Sequence, residues 1–460
     1  MQKFDIAVIG GGPGGYVAAI KAAQNGALTV LIEKDELGGT CLNTGCIPTK
    51  TLIASAEVLG SARDAAKFGV KISGEIVPDI TLMQKRKNSI VRRLRTGIAT
   101  LVKANKITLI KGSASFKTRK QIQIFADKEV TIEAQKIIVA TGSEPLVPSF
   151  IPKSDKILDS TQILEIKDIP KSLIILGGGV IGCEFACLLA ELGTSVTVVE
   201  MLETILPSQD KDVCTLITKN MKKKGIKVLT GAPLEKIKAS SSGVSGNVAG
   251  KNISADYMLV SIGRKPVTTE LNIDNTGIKI DDNGFIPVNN QCKTNISGIY
   301  AIGDLTGEIQ LAHMASAMGI CAANNASGKK DEFKSDLVPS CIFTTPEIGS
   351  VGMTEAQCKE KNVEIKIGQF PFAALGKAMA LDKTEGFVKI IADKETGQIL
   401  GTHIVGPSAT DLIAESATAM NLEITAEELG KAIHAHPTLG EASMEAAHAV
   451  DGECIHLPPK

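Results

Sequence analysis

The 460-residue sequence carries no excess of either charge: 50 basic side chains stand against 50 acidic ones. Nucleic acid bound through its phosphates needs a basic surplus, so a broad nucleic-acid footprint is excluded. No apolar run approaches the roughly 18 residues of a membrane span, which argues against a membrane protein. The opening "MQKFDIAVIG" is not a leader: Asp5 interrupts it, and its apolar stretch runs straight into glycines without a cleavage region. No transit-peptide pattern replaces it, and a cytoplasmic location is the expectation. Cys183 and Cys187 sit i, i+4 on a predicted helix. They lack a second ligand pair, so no metal site is expected.

What is present is ordinary in bulk. Hydrophobic residues make up 43% and charged residues 22%, as in globular proteins generally. The chain is too long for one core and implies several domains. Ten cysteines in an intracellular chain should be mostly thiols. Cys214, Cys292, Cys321, Cys341, Cys358 and Cys454 are scattered singly and read as small buried hydrophobes.

One unit is written twice. "FDIAVIGGGPGGYVAAIKAAQNGALTVLIEKDE" reads as strand, glycine turn, helix and strand, with Gly10, Gly12 and Gly15 in G-x-G-x-x-G spacing and Glu33 closing the second strand. "SLIILGGGVIGCEFACLLAELGTSVTVVEML" repeats it with Gly177, Gly179, Gly182 and Glu200. In both copies the acid follows the first glycine by 23 positions. The first glycine allows the tight turn, the second lets backbone approach a pyrophosphate, and the third packs helix on strand. The helix N-terminus offers free N–H groups to the phosphates. The carboxylate accepts from the adenosine ribose. Two dinucleotides imply electron transfer between two cofactors.

"IIVATGSEP" and "YMLVSIGRKP" look like the exit strands of these two units. The Ser/Gly-rich "ASSSGVSGNVAGKNIS", residues 239–254, reads as a surface hairpin loop. "TLMQKRKNSIVRRLRTGIATLVKANK", residues 81–106, has apolar residues at helical spacing and a charged, solvated face. From about Asp336 alternating strands precede helices, which suggests a separate α+β domain.

"GGTCLNTGCIPTK" places Cys41 and Cys46 five positions apart. In a regular helix those Cα atoms would lie about 8.6 Å apart, beyond the roughly 4.4–6.8 Å of a disulfide. Bridging needs a departure from helix, which Asn43 and Gly45 permit, and Pro48 then suits a first helical turn. So short a loop would stabilise the fold by only about 2 kcal/mol. A redox-active dithiol is the better reading, and its position after Glu33 ties it to the first nucleotide.

These stretches, with a late "HAHPTLGEA", resemble the pyridine nucleotide–disulfide oxidoreductases and, within them, the dihydrolipoyl dehydrogenases, over essentially the whole chain. The resemblance implies an α/β fold of two Rossmann-like dinucleotide-binding domains and a C-terminal α+β dimerisation domain. It implies an FAD-binding part over 1–147, an NAD-binding domain over 148–268, a second FAD or central part over 269–335 and an interface domain over 336–460. FAD would sit at the first fingerprint and NAD at the second. Electrons would pass from dihydrolipoamide on a lipoylated core protein, through Cys41–Cys46 and FAD, to NAD+. That core would belong to a 2-oxoacid dehydrogenase or glycine cleavage complex.

Residue by residue, Cys41 corresponds to the interchange thiol and Cys46 to the thiol against the flavin. Lys50 corresponds to the lysine near flavin N5, with Glu184 as its partner. Asp304 would bind the ribityl chain, and Gln310, Leu311, Ala312 and His313 would line the flavin. Gly112, Thr141, Gly142 and Ser143 match further FAD contacts, and Gly263 a nicotinamide-side contact. His436 and Glu441 would be the acid–base pair of a homodimer, with His434 the competing histidine. Thr44, Thr49 and Gly440 stand where valine, serine and serine are more usual. A glutathione-type reductase should show arginines after Glu200, and none occurs before Lys211. A mercuric reductase would carry a C-terminal cysteine pair, and only Cys454 is present. A transhydrogenase would lack the active cysteines. A redox-inactive scaffold would not need the dithiol and dyad together.

Overall fold

Short runs rich in β-branched residues, such as "FDIAVIG" and "LTVLIE", favour strands buried on both faces. In the computed structural model, which describes residues 1–458, they build two units. One comprises Met1–Pro148, Asp159–Asp168 and Gly263–Ser335. The other comprises Ser149–Leu158, Ile169–Ile262 and the residues from Asp336 on.

The first unit's sheet runs in the order Thr108–Lys111, Thr29–Glu33, Gln2–Ile9, Val130–Val139, Gln121–Phe125 and Ser113–Phe116. Val130–Val139 is shared. It lies parallel to Gln2–Ile9 along its length. Its first part pairs antiparallel with Gln121–Phe125, and its last residues pair parallel with Ile299–Ala301. Ala7, Ile32, Ile122, Ile132 and Ile137 lie in its core. The helices Pro13–Gln24 and Ala312–Ala326 cross on this sheet at close range. A Cβ on Gly14 would meet the Ala315 carbonyl oxygen at 2.8 Å, and one on Gly319 would meet that of Gly14 at 2.5 Å.

The basic helix spans Ile80–Ala104, with the Asp79 carboxylate accepting from Leu82 N at its start. Most of its charges are solvated as expected, with Lys87 and Arg95 the departures. Lys87 is 1% exposed, and its ammonium donates to Leu164 O at 2.8 Å and Glu165 at 2.5 Å.

In the second unit five parallel strands run Lys227–Leu229, Ser195–Val199, Ser172–Leu176, Tyr257–Val260 and Ile157–Leu158. The Ser/Gly-rich stretch is not a loop, contrary to expectation. Gly243–Val248 and Lys251–Ala255 are strands, paired antiparallel with each other and onto Leu234–Ser240. Val244, Gly246 and Val248 alternate inward, and a Cβ on Gly246 would strike the Leu234 side chain at 2.6 Å. The composition hid a period-2 pattern in which glycine fills an inward place.

The same unit holds a five-stranded antiparallel sheet: Ser340–Ile342, Glu347–Gly352, Ile399–Gly406, Phe387–Asp393 and Ile365–Pro371. The helices Ala409–Asn421 and Glu441–Val450 pack on it. Beneath lies Lys389, 1% exposed. Its ammonium meets Asp210 at 2.9 Å, Asp212 at 2.7 Å, and Glu355. The three carboxylates are close enough to hold a metal, and the Lys389 ammonium is their cation.

Burial alone would push the Asp210 carboxyl up, but the Lys389 hydrogen bond and the charge of His403 hold it below the usual carboxylate range. Burial likewise opposes the charge of Lys389, and its three acidic partners raise its pKa. A depressed carboxylate contributes stability that is present above its unfolded pKa and lost as pH falls through the folded one. A raised lysine contributes below its unfolded pKa, near 10.4. Lys389→Met therefore destabilises the fold by about 3 kcal/mol. In urea melts the gap should be flat from roughly pH 5 to 10 and narrow in acid. A variant as stable as wild type at pH 7 would contradict this.

Candidate active site

The first glycine turn leads from Gln2–Ile9 into Pro13–Gln24. Gly10 has φ +102°, a left-handed backbone open to glycine. A Cβ on Gly15 would lie 1.8 Å from Gly10 O, so only glycine lets the helix start there. No side chain caps that helix at Gly12, which leaves its N–H groups to a ligand. Glu33, at the end of Thr29–Glu33, folds back: Oε2 accepts from Gly11 N at 2.5 Å and Oε1 from Asp35 N at 2.7 Å. Beside it opens a cavity of about 330 Å³ lined by Glu33, Glu36, Leu37 and Arg95.

The second turn repeats this bond for bond. Gly177 has φ +107°, and a Cβ on Gly182 would lie 2.0 Å from Gly177 O. Glu200 accepts from Gly178 N at 2.7 Å and from Leu202 N at 2.8 Å. Beside Gly179 nothing lies within 4 Å of where a Cβ would sit. The sequence alone did not reveal that each acid is held by the middle glycine's N–H.

The dithiol sits at a helix break. Gly38, at φ +96°, precedes the helix Gly39–Thr44, and Gly45 separates it from Cys46–Asp64. Cys41 belongs to the first helix and Cys46 begins the second. Gly45 (φ −145°, ψ −111°) makes the break. Asn43 stays helical, and its role is different from the one expected. Its amide donates to Gly39 O at 2.9 Å and Leu37 O at 3.1 Å, while its oxygen accepts from Arg95 Nε at 3.1 Å and Nη2 at 2.8 Å. Arg95 also reaches Glu36 at 3.3 Å. The hydrogen bond with Cys46, then burial, pushes the Cys41 thiol up, and the Lys50 charge opposes this. Both side chains are partly buried. Lys50 lies one helical turn beyond Cys46.

Around the same unit, Asp304 accepts from Ser143 Oγ at 2.5 Å. Arg264 donates to Ser143 Oγ and Ser143 O, each at 2.7 Å, and lies 3.8 Å from Asp304. Sequence reading reached Gly263 but missed the arginine after it. Thr141 Oγ1 donates to Val267 O at 2.7 Å, and beside Gly142 a Cβ would meet nothing within 4 Å. Gly112 N donates to Glu33 O at 2.9 Å. Gln310 and Leu311 lead into Ala312–Ala326, which carries His313 in its first turn.

In the other unit Glu184 is 4% exposed and accepts from Phe343 N at 3.0 Å. His436 Nδ1 lies 2.8 Å from Glu441 Oε1, and Glu441 Oε2 accepts from Thr438 N at 2.8 Å. Burial tends to raise the Glu441 carboxyl, but the Thr438 and His436 hydrogen bonds hold it below its ordinary range. The His436 side chain is 79% exposed, and Glu441 engages it through Nδ1. His434, 9% exposed, is engaged at both nitrogens, by Ala432 O at 2.9 Å and Glu415 at 2.8 Å.

Residues 4–319 match the family described as pyridine nucleotide-disulphide oxidoreductase, and residues 338–447 match its dimerisation domain. The dihydrolipoyl dehydrogenase of Chlamydia pneumoniae is 44% identical over 100% of this chain and 99% of that protein. A dihydrolipoyl dehydrogenase of Bacillus subtilis is 43% identical over 98% and 99%. LpdA from Mycobacterium tuberculosis aligns at TM-score 0.89 and 29% identity, covering 97% of this chain and 99% of that one. The Cu(II) complex of the HOCl-induced flavoprotein disulfide reductase RclA from Escherichia coli aligns at TM-score 0.88 and 29% identity over 97% and 99%.

FAD and NAD(H), the family's cofactors, fit the residues present: two uncapped helix starts behind obligate glycines, each with a carboxylate fixed at the glycine turn by a backbone N–H. With twin nucleotide turns, a dithiol at a glycine break and a matched dimerisation segment, this chain belongs to the pyridine nucleotide–disulphide oxidoreductases.

Proposed function

We propose that this protein is a dihydrolipoyl dehydrogenase, oxidising dihydrolipoamide on a lipoylated core protein with NAD+ as acceptor. The carrying observation is the Cys41/Cys46 pair, built across the Gly45 break in the unit that holds the first nucleotide turn. Full-length relatives bearing that name support the substrate class.

The chain's own residues then act as follows. Nε2 of His436 removes the proton of one substrate thiol, while Glu441 on Nδ1 fixes the tautomer and stabilises the imidazolium. The substrate thiolate attacks Cys41 Sγ, the Cys41–Cys46 bond breaks, and Cys46 leaves as thiolate. The second substrate sulfur displaces Cys41 and closes the substrate disulfide, while His436 hands the first proton to the departing Cys41 thiolate and takes the second. FAD, held by the first glycine turn and Glu33, would supply the two-electron acceptor through which the dithiol's electrons reach NAD+. Lys50, one turn beyond Cys46, would supply a cation beside the flavin, the role that the resemblance gives it together with Glu184. Asp304, fixed by Ser143 and Arg264, would hold the ribityl chain.

The matched dimerisation domain supports a homodimer, in which His436 of the partner subunit serves each disulfide. The complex served is of the 2-oxoacid dehydrogenase or glycine cleavage type. A cytoplasmic location completes the reading, supported by cysteines that mostly stand singly along the sequence. The test is direct: dihydrolipoamide should bleach the flavin absorption of the FAD-loaded protein, and NAD+ should restore it. No bleaching would overturn the assignment.

The second site should prefer NAD+ over NADP+ by on the order of 10²-fold in kcat/KM, because a 2′-phosphate would face the fixed Glu200 carboxylate. No arginine lies between Glu200 and Lys211 to offset it. Equal use of both nucleotides would refute this placement of Glu200.

A further inference from the structure

Two of the cysteines that read as scattered hydrophobes in sequence meet in the fold. Cys292 lies in a turn held by Asn289, whose side-chain oxygen accepts from Gln291 N and Lys293 N at 3.0 Å each. Its backbone is left-handed, with φ +57°, and its Sγ faces Met318 O at 3.6 Å on the helix Ala312–Ala326. Cys321 is the residue one turn further along that helix. Its Sγ faces back to Asn290 O at 3.7 Å, beside Cys292, and to Asp331 O at 3.5 Å. Each sulfur thus reaches the backbone of the other's segment, which brings the two thiols together. The pair is 1% and 3% exposed.

We propose that Cys292 and Cys321 form a second redox-active dithiol, oxidised by hydrogen peroxide to an intramolecular disulfide. This rests on their juxtaposition and not on the reading of Cys41 and Cys46.

Their surroundings divide the labour. Asn325 Nδ2 donates to Cys321 Sγ at 3.4 Å while also holding Cys321 O at 3.0 Å and Asp331 O at 2.8 Å. The bond from Cys292, aided by Asn325, pulls the Cys321 thiol down against burial and the Asp331 charge, whereas Cys292 is pushed well up. Asn325, donating to the Cys321 sulfur, stabilises a thiolate there, so Cys321 is the sulfur that attacks and Cys292 the one that resolves. The Cys321 thiolate attacks one peroxide oxygen. The O–O bond breaks, a sulfenic acid forms, and hydroxide leaves as water with the thiol's proton. Cys292 sulfur then attacks the sulfenic sulfur and expels its hydroxyl, which departs as water with the Cys292 proton. Two thiols lose two electrons, and one peroxide becomes two waters. So little exposure admits a small oxidant and excludes a folded protein. Cys321 lies nine residues into its helix, about 13 Å from Ala312 along the axis. The new bridge would tie that helix to the Asn289–Lys293 turn.

The holoenzyme, with Cys41 and Cys46 already oxidised, is treated with one equivalent of hydrogen peroxide, denatured, alkylated with N-ethylmaleimide and digested. The expected result is loss of two alkylatable thiols per chain and a peptide pair cross-linked through Cys292 and Cys321, reversed by dithiothreitol. Cys292→Ser should convert this into a single loss at Cys321, trapped by dimedone as the sulfenic acid. Cys321→Ser should leave Cys292 fully alkylated. Full alkylation of both cysteines in peroxide-treated wild type would overturn the proposal, as would pairing of either with a third cysteine. Neither depends on whether the protein turns over dihydrolipoamide.

Discussion

Cys41→Ser lowers dihydrolipoamide-dependent NAD+ reduction by on the order of 10⁴-fold or more, with FAD still bound. Removing a covalent nucleophile eliminates a whole pathway, and what remains reflects binding and orientation alone. The side chain is replaceable without loss of the fold: Cys41 is only partly buried, at the surface of a six-residue helix held by Asn43 and Gly38. Two controls separate chemistry from collapse. NADH oxidation by an artificial dye, which needs only the nucleotides, should persist. The long-wavelength absorption given by the remaining Cys46 thiolate beside oxidised flavin should be present without added reductant, and Cys46→Ser should abolish it. Near-normal lipoamide turnover in Cys41→Ser would remove the dithiol from the mechanism.

His436→Ala is expected to lose roughly 10²–10⁴-fold in the same assay, the range of a positioned general base. Substrate thiols with pKa values near 8.5 are mostly protonated at neutral pH, so the deficit should shrink as pH rises toward that value. His434→Ala should not share this pH signature, because both its ring nitrogens are already occupied. The dyad's open side gives a further test. If His436 of the partner subunit completes each site, two inactive variants restore one another. Cys41→Ser and His436→Ala chains, unfolded together in equal amounts and reassembled, give half mixed dimers with one intact site of two. Up to about a quarter of wild-type activity follows, given symmetric assembly. No recovery in proven mixed dimers would place the base within its own chain.

Where backbone geometry dictates residue type, the sequence was legible. Gly10 and Gly15 could be read because a Cβ on the first would strike Ala140 O at 2.4 Å and one on the second Gly10 O at 1.8 Å. The second copy at Gly177 and Gly182 was visible for the same reason. A departure from helix between Cys41 and Cys46 was inferable from the reach of a disulfide, but not its place: Asn43 and Gly45 both permitted it, and only Gly45 breaks the helix. The residues that hold the site were not. Arg95 meets Asn43 across 52 positions, Arg264 meets Ser143 across 121, and Lys389 meets Asp210 across 179. Such pairs leave no local period, and each cation looks like one more solvated charge. Cys292 and Cys321 were misjudged in the same way: singly they are small hydrophobes, and only the packing of a turn on a helix makes them a pair. The hairpin at Gly243–Ala255 failed differently, since glycine and serine conceal which positions face inward.

The interrupted layout of the first unit sets an order of events during synthesis. Val130–Val139 receives its last parallel neighbour only with Ile299–Ala301, and Pro13–Gln24 receives its close-packed partner only with Ala312–Ala326. The parallel sheet of the second unit is complete by Val260. A chain growing at about 5–20 residues per second therefore keeps its first nucleotide fold unfinished for many seconds, while the later-encoded one can already close. Nascent chains arrested with residue 262 exposed but residue 299 not yet made should show a protease-resistant second fold beside a sensitive N-terminal segment. FAD can be captured only near the end of translation, by a chain whose NAD-type fold is already waiting.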